Sequence, residues 1–390
     1  MLVLTTSYPL PGAPPSGPFV HHLVDHLPPD IEATVLTPCV RRHQDYPQRD
    51  NVRVRCFRYA PLPWQRLAHR PGGIPVALRS NPLLYLLLPG FLIAMVYACW
   101  RAARSVDLIH ANWSVNGVLA AFVAARRRIP LVTTLRGEDV TRAGTSRLFR
   151  HLLKRCLRAS ARVVTVSETF RQQIAAQFPD CTHKLCLVPN GVPREALRRP
   201  PATGAAGSLR LVAVGSLIPR KDTSTLIRAL ANLAGLPGVR LVIVGDGPER
   251  ADLVHLAAGL GVHRCITFAG AVAPGAVGGC LDRADVLVLC SRSEGRPNVV
   301  LEAMARGVPV VATRIAGVTE MIEDGRTGFL YAPGDDATLS GILRRLHADP
   351  DLRRRVAAAA QSWLVEEALF WDVTGRRYGR LYRETIAARH

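Results

Sequence analysis

VLVLCSRSEGRPNVVLEAMARGVPVVAT, Val286 to Thr313, is the stretch whose reading decides the fold. Val286 to Leu289 reads as a buried strand running into a polar loop; Pro297 opens a helix of about ten residues, Gly307 ends it, and a second apolar strand follows from Val308 to Val311. The unit is βαβ with a charged loop at its mouth. Glu294 lies in that loop and Glu302 inside the helix, so both can face the crevice beyond the strand ends where open α/β sheets bind ligands. Pro297 needs no N–H at the first helical position, and no Asp, Ser or Thr stands before it as a cap. The amides of Asn298, Val299 and Val300 are therefore predicted to be open to an anion. Two glutamates at a crevice suggest acid–base pairing, although either alone reads more readily as a solvated charge.

The same alternation extends outward in both directions. Towards the N-terminus, LRLVAVG ends a strand at Gly215, and Arg220-Lys221 follow beside a helix start, the makings of a diphosphate clamp. Arg240 to Val244 and Ile266 to Gly270 are further strands, and Gly245-Asp246-Gly247 after the first is only half of a dinucleotide fingerprint. Earlier still, strands at Asp107 to Ala111, Leu131 to Leu135, Arg162 to Val166 and Leu185 to Val188 alternate with helices, one of them capped by Ser167. Polar residues at their ends, His110 and Arg136-Gly137-Glu138-Asp139, point to a second crevice, and Gly17 marks the loop Tyr8 to Pro18 between the first strand and helix. Residues 193–208, rich in Arg, Pro, Ala and Gly, read as a linker. Asp349-Pro350-Asp351 has a metal-binding spacing but precedes LRRRVAAAA and reads as an acidic helix start, so no metal ligand is assigned.

Ser293-Glu294-Gly295, Leu301-Glu302-Ala303-Met304-Ala305 and Gly307-Val308-Pro309-Val310-Val311-Ala312-Thr313 together resemble the signature of glycosyltransferase family 4, retaining enzymes of the two-domain GT-B fold. The resemblance covers nearly the whole chain and is strongest from Leu209 to Leu330. It implies two Rossmann-like parallel-sheet domains facing each other across a cleft: residues 1–192, completed by a C-terminal helix at about 372–390, and residues 209–371. It implies transfer of a sugar from a nucleotide diphosphate sugar to an acceptor hydroxyl on a glycan, a lipid-linked intermediate or a small molecule, with no metal and no cofactor. By the same resemblance Lys221 and Arg220 bind diphosphate, Glu302 the ribose, Glu294 the donor sugar, the turn around Val272 the base, and Gly17 flanks the donor. Two departures stand out: Ser216 where many members carry a phosphate-binding Arg, and Arg136 where many carry His. Arg136 then serves as a fixed cation near phosphate or acceptor, with His110 and Asp139 as acceptor-side candidates, although a lone His at a strand end reads more readily as hydrogen-bonded structure.

Composition sets bounds on these readings. The 390 residues allow two ordinary domains, and 48% hydrophobic with 21% charged residues excludes wholesale disorder. The net charge of +20 is uneven: residues 1–190 hold 24 Lys and Arg against 10 Asp and Glu. Such an excess suits nucleic acid, an anionic membrane or an acidic substrate. Only 6% aromatic residues and no nucleic-acid-binding motif argue against the first. Nine scattered cysteines without a C-x-x-C pair read as free thiols of a reducing cytoplasm, and Met1 to Thr5 reads as a core strand with no export signal before it. Leu83 to Trp100, LLYLLLPGFLIAMVYACW, is uncharged; a spanning helix there would tear apart the α/β pattern on either side. Both a buried core helix and one docked at the inner membrane face, with Arg66, Arg70, Arg79, Arg101 and Arg104 near anionic headgroups, fit the stretch. An epimerase or phosphorylase on the same fold is the nearest alternative; a nicotinamide dehydrogenase would need the complete glycine fingerprint.

Overall fold

The computed structural model describes residues 1–10, 16–40, 51–69, 73–198 and 207–388. Arg70, part of the Tyr8 to Pro18 loop and half of the 193–208 linker lie outside the described residues. The chain divides into two compact units, Met1–Asn190 with Trp371–His390, and Gly191–Phe370.

The first unit holds β1 (Leu2–Leu4), α1 (Pro18–Asp25), β2 (Ala33–Pro38), β3 (Val52–Phe57), α2 (Gly73–Ser80), α3 (Leu88–Ala102), β4 (Ile109–Asn112), α4 (Ser114–Arg127), β5 (Leu131–Leu135), α5 (Glu138–Thr145), α6 (Arg147–Ala159), β6 (Arg162–Thr165), α7 (Glu168–Gln177) and β7 (Leu185–Leu187). The second holds β8 (Leu209–Val214), α8 (Thr223–Ala231), β9 (Val239–Val244), α9 (Arg250–Gly259), β10 (Ile266–Gly270), α10 (Pro274–Leu281), β11 (Val286–Leu289), α11 (Asn298–Ala305), β12 (Val310–Thr313), β13 (Phe329–Tyr331), α12 (Asp336–Ala348) and α13 (Pro350–Glu366). The last helix, α14 (Trp371–Ala387), returns to the first unit.

Both sheets are parallel throughout, ordered β3-β2-β1-β4-β5-β6-β7 and β10-β9-β8-β11-β12-β13. Each therefore reverses its winding once, between β1 and β4 and between β8 and β11, which places one ligand crevice at the carboxyl ends of each pair. Strands β11 and β12 are buried along their whole length, as strands covered by helices on both faces must be, which explains their unbroken apolar runs.

Two boundaries differ from the sequence reading. Pro297 is the residue before α11 and Asn298 the first inside it. β12 starts at Val310 because Val308 N–H closes the helix end on Ala303 C=O (2.9 Å), and Pro309 has no N–H for the ladder. The C-terminal helix expected at about 372–390 runs from Trp371 to Ala387, set off from α13 by Ala368 at a left-handed φ of 50°.

The uncharged stretch is neither wholly buried nor a simple surface helix. It begins as a short 3₁₀ turn, Pro82–Leu87, and continues as α3, whose Phe91, Met95 and Cys99 are buried in the first unit's core. The opposite side is exposed. Among the described residues all nine cysteines are free, five of them buried.

Candidate active site

The second unit's crevice is built by the chain leaving β8 and β11. After β8, Gly215 leads to the short turn Pro219–Lys221, and after β11, Cys290 to Pro297 runs up to α11. The two segments are tied by backbone and side chain: Arg292 N–H donates to Arg220 C=O (2.8 Å), Arg220 Nη1 donates to Ser293 C=O (2.9 Å), and Arg292 Nε donates to Asp222 Oδ2 (3.0 Å). At the centre lies Glu294, almost fully buried. Its Oε1 accepts from Lys221 Nζ (2.5 Å) and Ser291 Oγ (2.6 Å), while Arg220 Nη1 stands 3.6 Å from Oε2. Burial alone would raise the Glu294 carboxyl, but the charges of Lys221 and Arg220 and the two hydrogen bonds outweigh it and hold its pKa below the ordinary glutamate value.

The loop that carries Glu294 is braced from behind. Arg296, with a side chain only 7% exposed, pairs with Glu320. Gly317, at φ 80°, lies so close to the loop that a Cβ there would meet Gly295 O at 2.0 Å, so only glycine fits. Thr313 Oγ1, at the end of β12, donates to Ser291 C=O (2.5 Å). The loop is therefore fixed by contacts from behind that involve no ligand.

The anion cradle at α11 is narrower than the sequence suggests. Val300 N–H donates to Pro297 C=O (3.1 Å), which removes Val300 from the set. No side chain caps this end, so the helix dipole keeps its positive pole there. Glu302 is half-buried one turn further on, and burial, partly offset by Arg306, raises its carboxyl above the usual range. Val272 is half-buried in the turn between β10 and α10. Asp349 and Asp351 are helix-start acids: Asp349 accepts from Leu352 N–H (2.8 Å), and Asp351 pairs with Arg354.

The first unit's crevice has a different character. Gly17, at φ 63°, precedes α1, and a Cβ there would lie 2.3 Å from Ser7 O, so the close approach at this glycine is between two stretches of backbone. Arg136 spends its guanidinium on neutral amides, Asn112 Oδ1 (2.8 Å) and Asn190 Oδ1 (2.9 Å), and stacks 4.5 Å from the Phe19 ring centroid. Asp139 accepts from Ser114 N–H and Oγ (both 2.7 Å) and from Arg136 N–H (3.1 Å), a task of loop closure. His110 is a correction to the acceptor-side assignment. It is fully buried, with Nε2 2.8 Å from Thr134 Oγ1 and Nδ1 2.8 Å from Tyr382 OH, and presents no nitrogen to a ligand. Burial, then the Arg136 charge, pushes its pKa down to about 3, so it is neutral.

Sequence reasoning missed Ser291, Asp222, Arg292 and the Arg296–Glu320 pair. Ser291 had a usable signal, the first polar residue after an apolar strand; Asp222, at a left-handed φ of 46° before α8, had none.

Comparison with known proteins follows the same division. The model described as Glycosyltransferase Family 4 matches residues 17–196, and that described as Glycosyl transferases group 1 matches residues 201–363. The D-inositol 3-phosphate glycosyltransferase of Acidothermus cellulolyticus is 30% identical over 375 residues, covering 87% of this chain and 82% of that one. The chain belongs to glycosyltransferase family 4. As a member it is a glycosyltransferase, and its two parallel sheets are those of the GT-B fold. The N-acetyl-alpha-D-glucosaminyl L-malate synthase of Bacillus anthracis is 26% identical over 273 residues, 68% of this chain and 71% of that one. Among solved structures, sucrose-phosphate synthase of Thermosynechococcus elongatus matches with a TM-score of 0.80 at 22% identity, covering 99% of both chains. The Anabaena HepE protein in complex with UDP-glucose matches with a TM-score of 0.73 at 20% identity, again over 99% of both.

Proposed function

We propose that this glycosyltransferase moves a sugar from a nucleotide diphosphate sugar to an acceptor hydroxyl, with retention at the anomeric carbon and without a metal ion or cofactor. The observation that carries the reading is the Lys221–Glu294–Arg220 cluster at the carboxyl ends of β8 and β11, beside the uncapped start of α11. Negative charge grows on the departing diphosphate. Two cations held in place by Glu294 and by Ser293 C=O, with the positive pole of α11, stabilise that charge more in the transition state than in the ground state. The positive charge a metal would bring is thus supplied by side chains and backbone.

Glu302 accepts the ribose hydroxyls, Val272 lines the base, and Arg136 and Asp139 shape the first-unit loop near the acceptor. Glu294 binds hydroxyls of the donor sugar. Its Oε1 already takes two hydrogen bonds, which makes it a weak nucleophile and favours attack by the acceptor on the face the diphosphate leaves, the acceptor proton passing to a departing phosphate oxygen. The acceptor is a glycan, a lipid-linked intermediate or a small molecule of cell-surface polysaccharide or glycolipid assembly on the cytoplasmic side. The Anabaena relative's UDP-glucose complex supports the donor class.

Thermal shift against a panel of nucleotide sugars identifies the donor, and turnover of that donor is then measured with and without EDTA. Undiminished turnover in Glu294→Ala, Lys221→Ala and Glu302→Ala alike would sink the reading. Loss of activity in EDTA, restored by a divalent metal, would remove its metal-free part.

A further inference from the structure

Twelve large apolar side chains are exposed among the described residues, and eight of them lie between Trp64 and Leu148. Leu83, Tyr85, Leu86, Ile93 and Tyr97, each 55–80% exposed, form the outward side of the Pro82–Leu87 turn and α3. A surface helix ordinarily turns a polar face to water. Here Phe91, Met95 and Cys99 satisfy the core on one side, and an equally apolar stripe of the same i, i+4 spacing is left on the other.

The cations around this stripe are arranged on aromatic rings. The Arg101 guanidinium carbon is 6.0 Å from the Tyr97 ring centroid, Arg126 is 5.0 Å from Phe122, and Arg127 on α4 is 4.2 Å from Trp100 on α3. The neighbouring α6, packed beside α4 in the same helical layer, exposes Arg147, Arg150, Lys154, Arg155 and Arg158. Neither α3, α4 nor α6 contains an acidic residue, and residues 51–167 hold nineteen Lys and Arg against three acids, Asp107, Glu138 and Asp139.

We propose that the outer face of the α3–α4–α6 layer docks onto the surface of an anionic phospholipid bilayer, with the Leu83–Tyr97 stripe in the acyl–headgroup boundary and the arginines on lipid phosphates. The combination selects the occupant. A second copy of the chain in an isologous dimer would set this basic face against itself, and like charges would oppose it. A nucleic acid would satisfy the arginines but leave the aliphatic stripe in water. A bilayer interface takes both, and rings paired with guanidinium groups suit the headgroup depth. The segment lies on the membrane and does not cross it, because Phe91, Met95 and Cys99 are committed to the protein core.

The test is sedimentation of the full chain with vesicles of phosphatidylcholine alone or mixed with phosphatidylglycerol, in the absence of any donor, so its outcome is independent of the transfer chemistry. Binding is expected to the mixed vesicles at low salt, and release at high salt or in a carbonate wash. Ile93→Ser with Tyr97→Ser is expected to weaken partition roughly tenfold or more, and Arg101→Gln and Arg126→Gln about fivefold each. All four positions are exposed, and an unchanged melting curve confirms that the variants fold. The proposal is overturned if the chain ignores anionic vesicles at low salt, if the Ile93/Tyr97 variant binds them as the parent does, or if carbonate fails to extract the protein. A lipid-free dimer in sedimentation velocity that the Ile93/Tyr97 substitutions dissolve would also overturn it, by assigning the stripe to self-association.

Discussion

The two units share one strand order, the first with an extra edge strand, and have opposite chemistry at the same place. Each sheet reverses its winding once, and each reversal opens a crevice at strand ends. In the second unit that crevice is filled with charge held in tension, a carboxylate among two cations on a loop braced from behind. In the first it is lined by an arginine on neutral amides, a histidine kept uncharged and two tyrosines from α14. Topology therefore locates a crevice, and side-chain charge decides what it can do. On the proposed function the charged crevice stabilises a leaving anion, while the neutral one is organised around packing and loop closure.

The contrast can be broken at several points. The largest effect is expected at Glu320→Ala, which strands Arg296 in a buried site and should cost about 3–5 kcal/mol in urea unfolding; a loss within experimental error would mean the brace is incidental. Next, Glu294→Ala and Lys221→Ala should each lower turnover roughly 10²–10³-fold, while His110→Gln, in the neutral crevice, should leave it near the parent value. Comparable losses at all three positions would erase the distinction between the crevices.

Gly17→Ala should destabilise the first unit by at least about 1–2 kcal/mol, the penalty of a left-handed residue with a Cβ, to which the contact with Ser7 O adds; thermal or denaturant melts measure it. His110 gives a pH signature. Its folded pKa, about 3, lies below its unfolded value, so the unfolded chain takes up the proton first; this contribution to stability is complete above about pH 6.5 and is lost as pH falls towards about 3. His110→Gln should flatten that part of the stability–pH curve. Glu294 has a depressed pKa and contributes in the same direction lower down: its share is present above the ordinary glutamate range and lost as pH falls through the folded value. The smallest effect concerns Glu302. Because burial raises its pKa, the carboxylate that would accept ribose hydroxyls is lost earlier on acidification than in an ordinary glutamate. Donor affinity should decline with falling pH, and Glu302→Gln should remove that dependence and raise the stability of the unliganded protein near neutrality.

Much of this was legible before the structure. The apolar runs of β11 and β12 and the glycine between them specify a parallel βαβ unit, because strands covered on both sides need unbroken hydrophobicity. Lys221, Glu294 and Glu302 could be singled out because they stand in the stretches that resemble the family signature; each alone reads as a solvated charge. Pairing was not legible: nothing local says that Lys221 and Glu294, 73 residues apart, share a hydrogen bond, or that Val300 spends its N–H on Pro297. The choice between the two readings of His110 was hidden for the same reason, since its partners Thr134 and Tyr382 are 24 and 272 residues away.

By itself the sequence determined the two parallel-sheet units, the family and the charge asymmetry, since periodicity, glycine placement and composition are properties of the chain read locally. Only the tertiary structure decided which charges meet, which amides are already taken, and which side of Leu83 to Trp100 is left in water. Those outcomes depend on long-range neighbours, and burial or pairing by such neighbours turns an ordinary glutamate, arginine or histidine into a functional or a structural one.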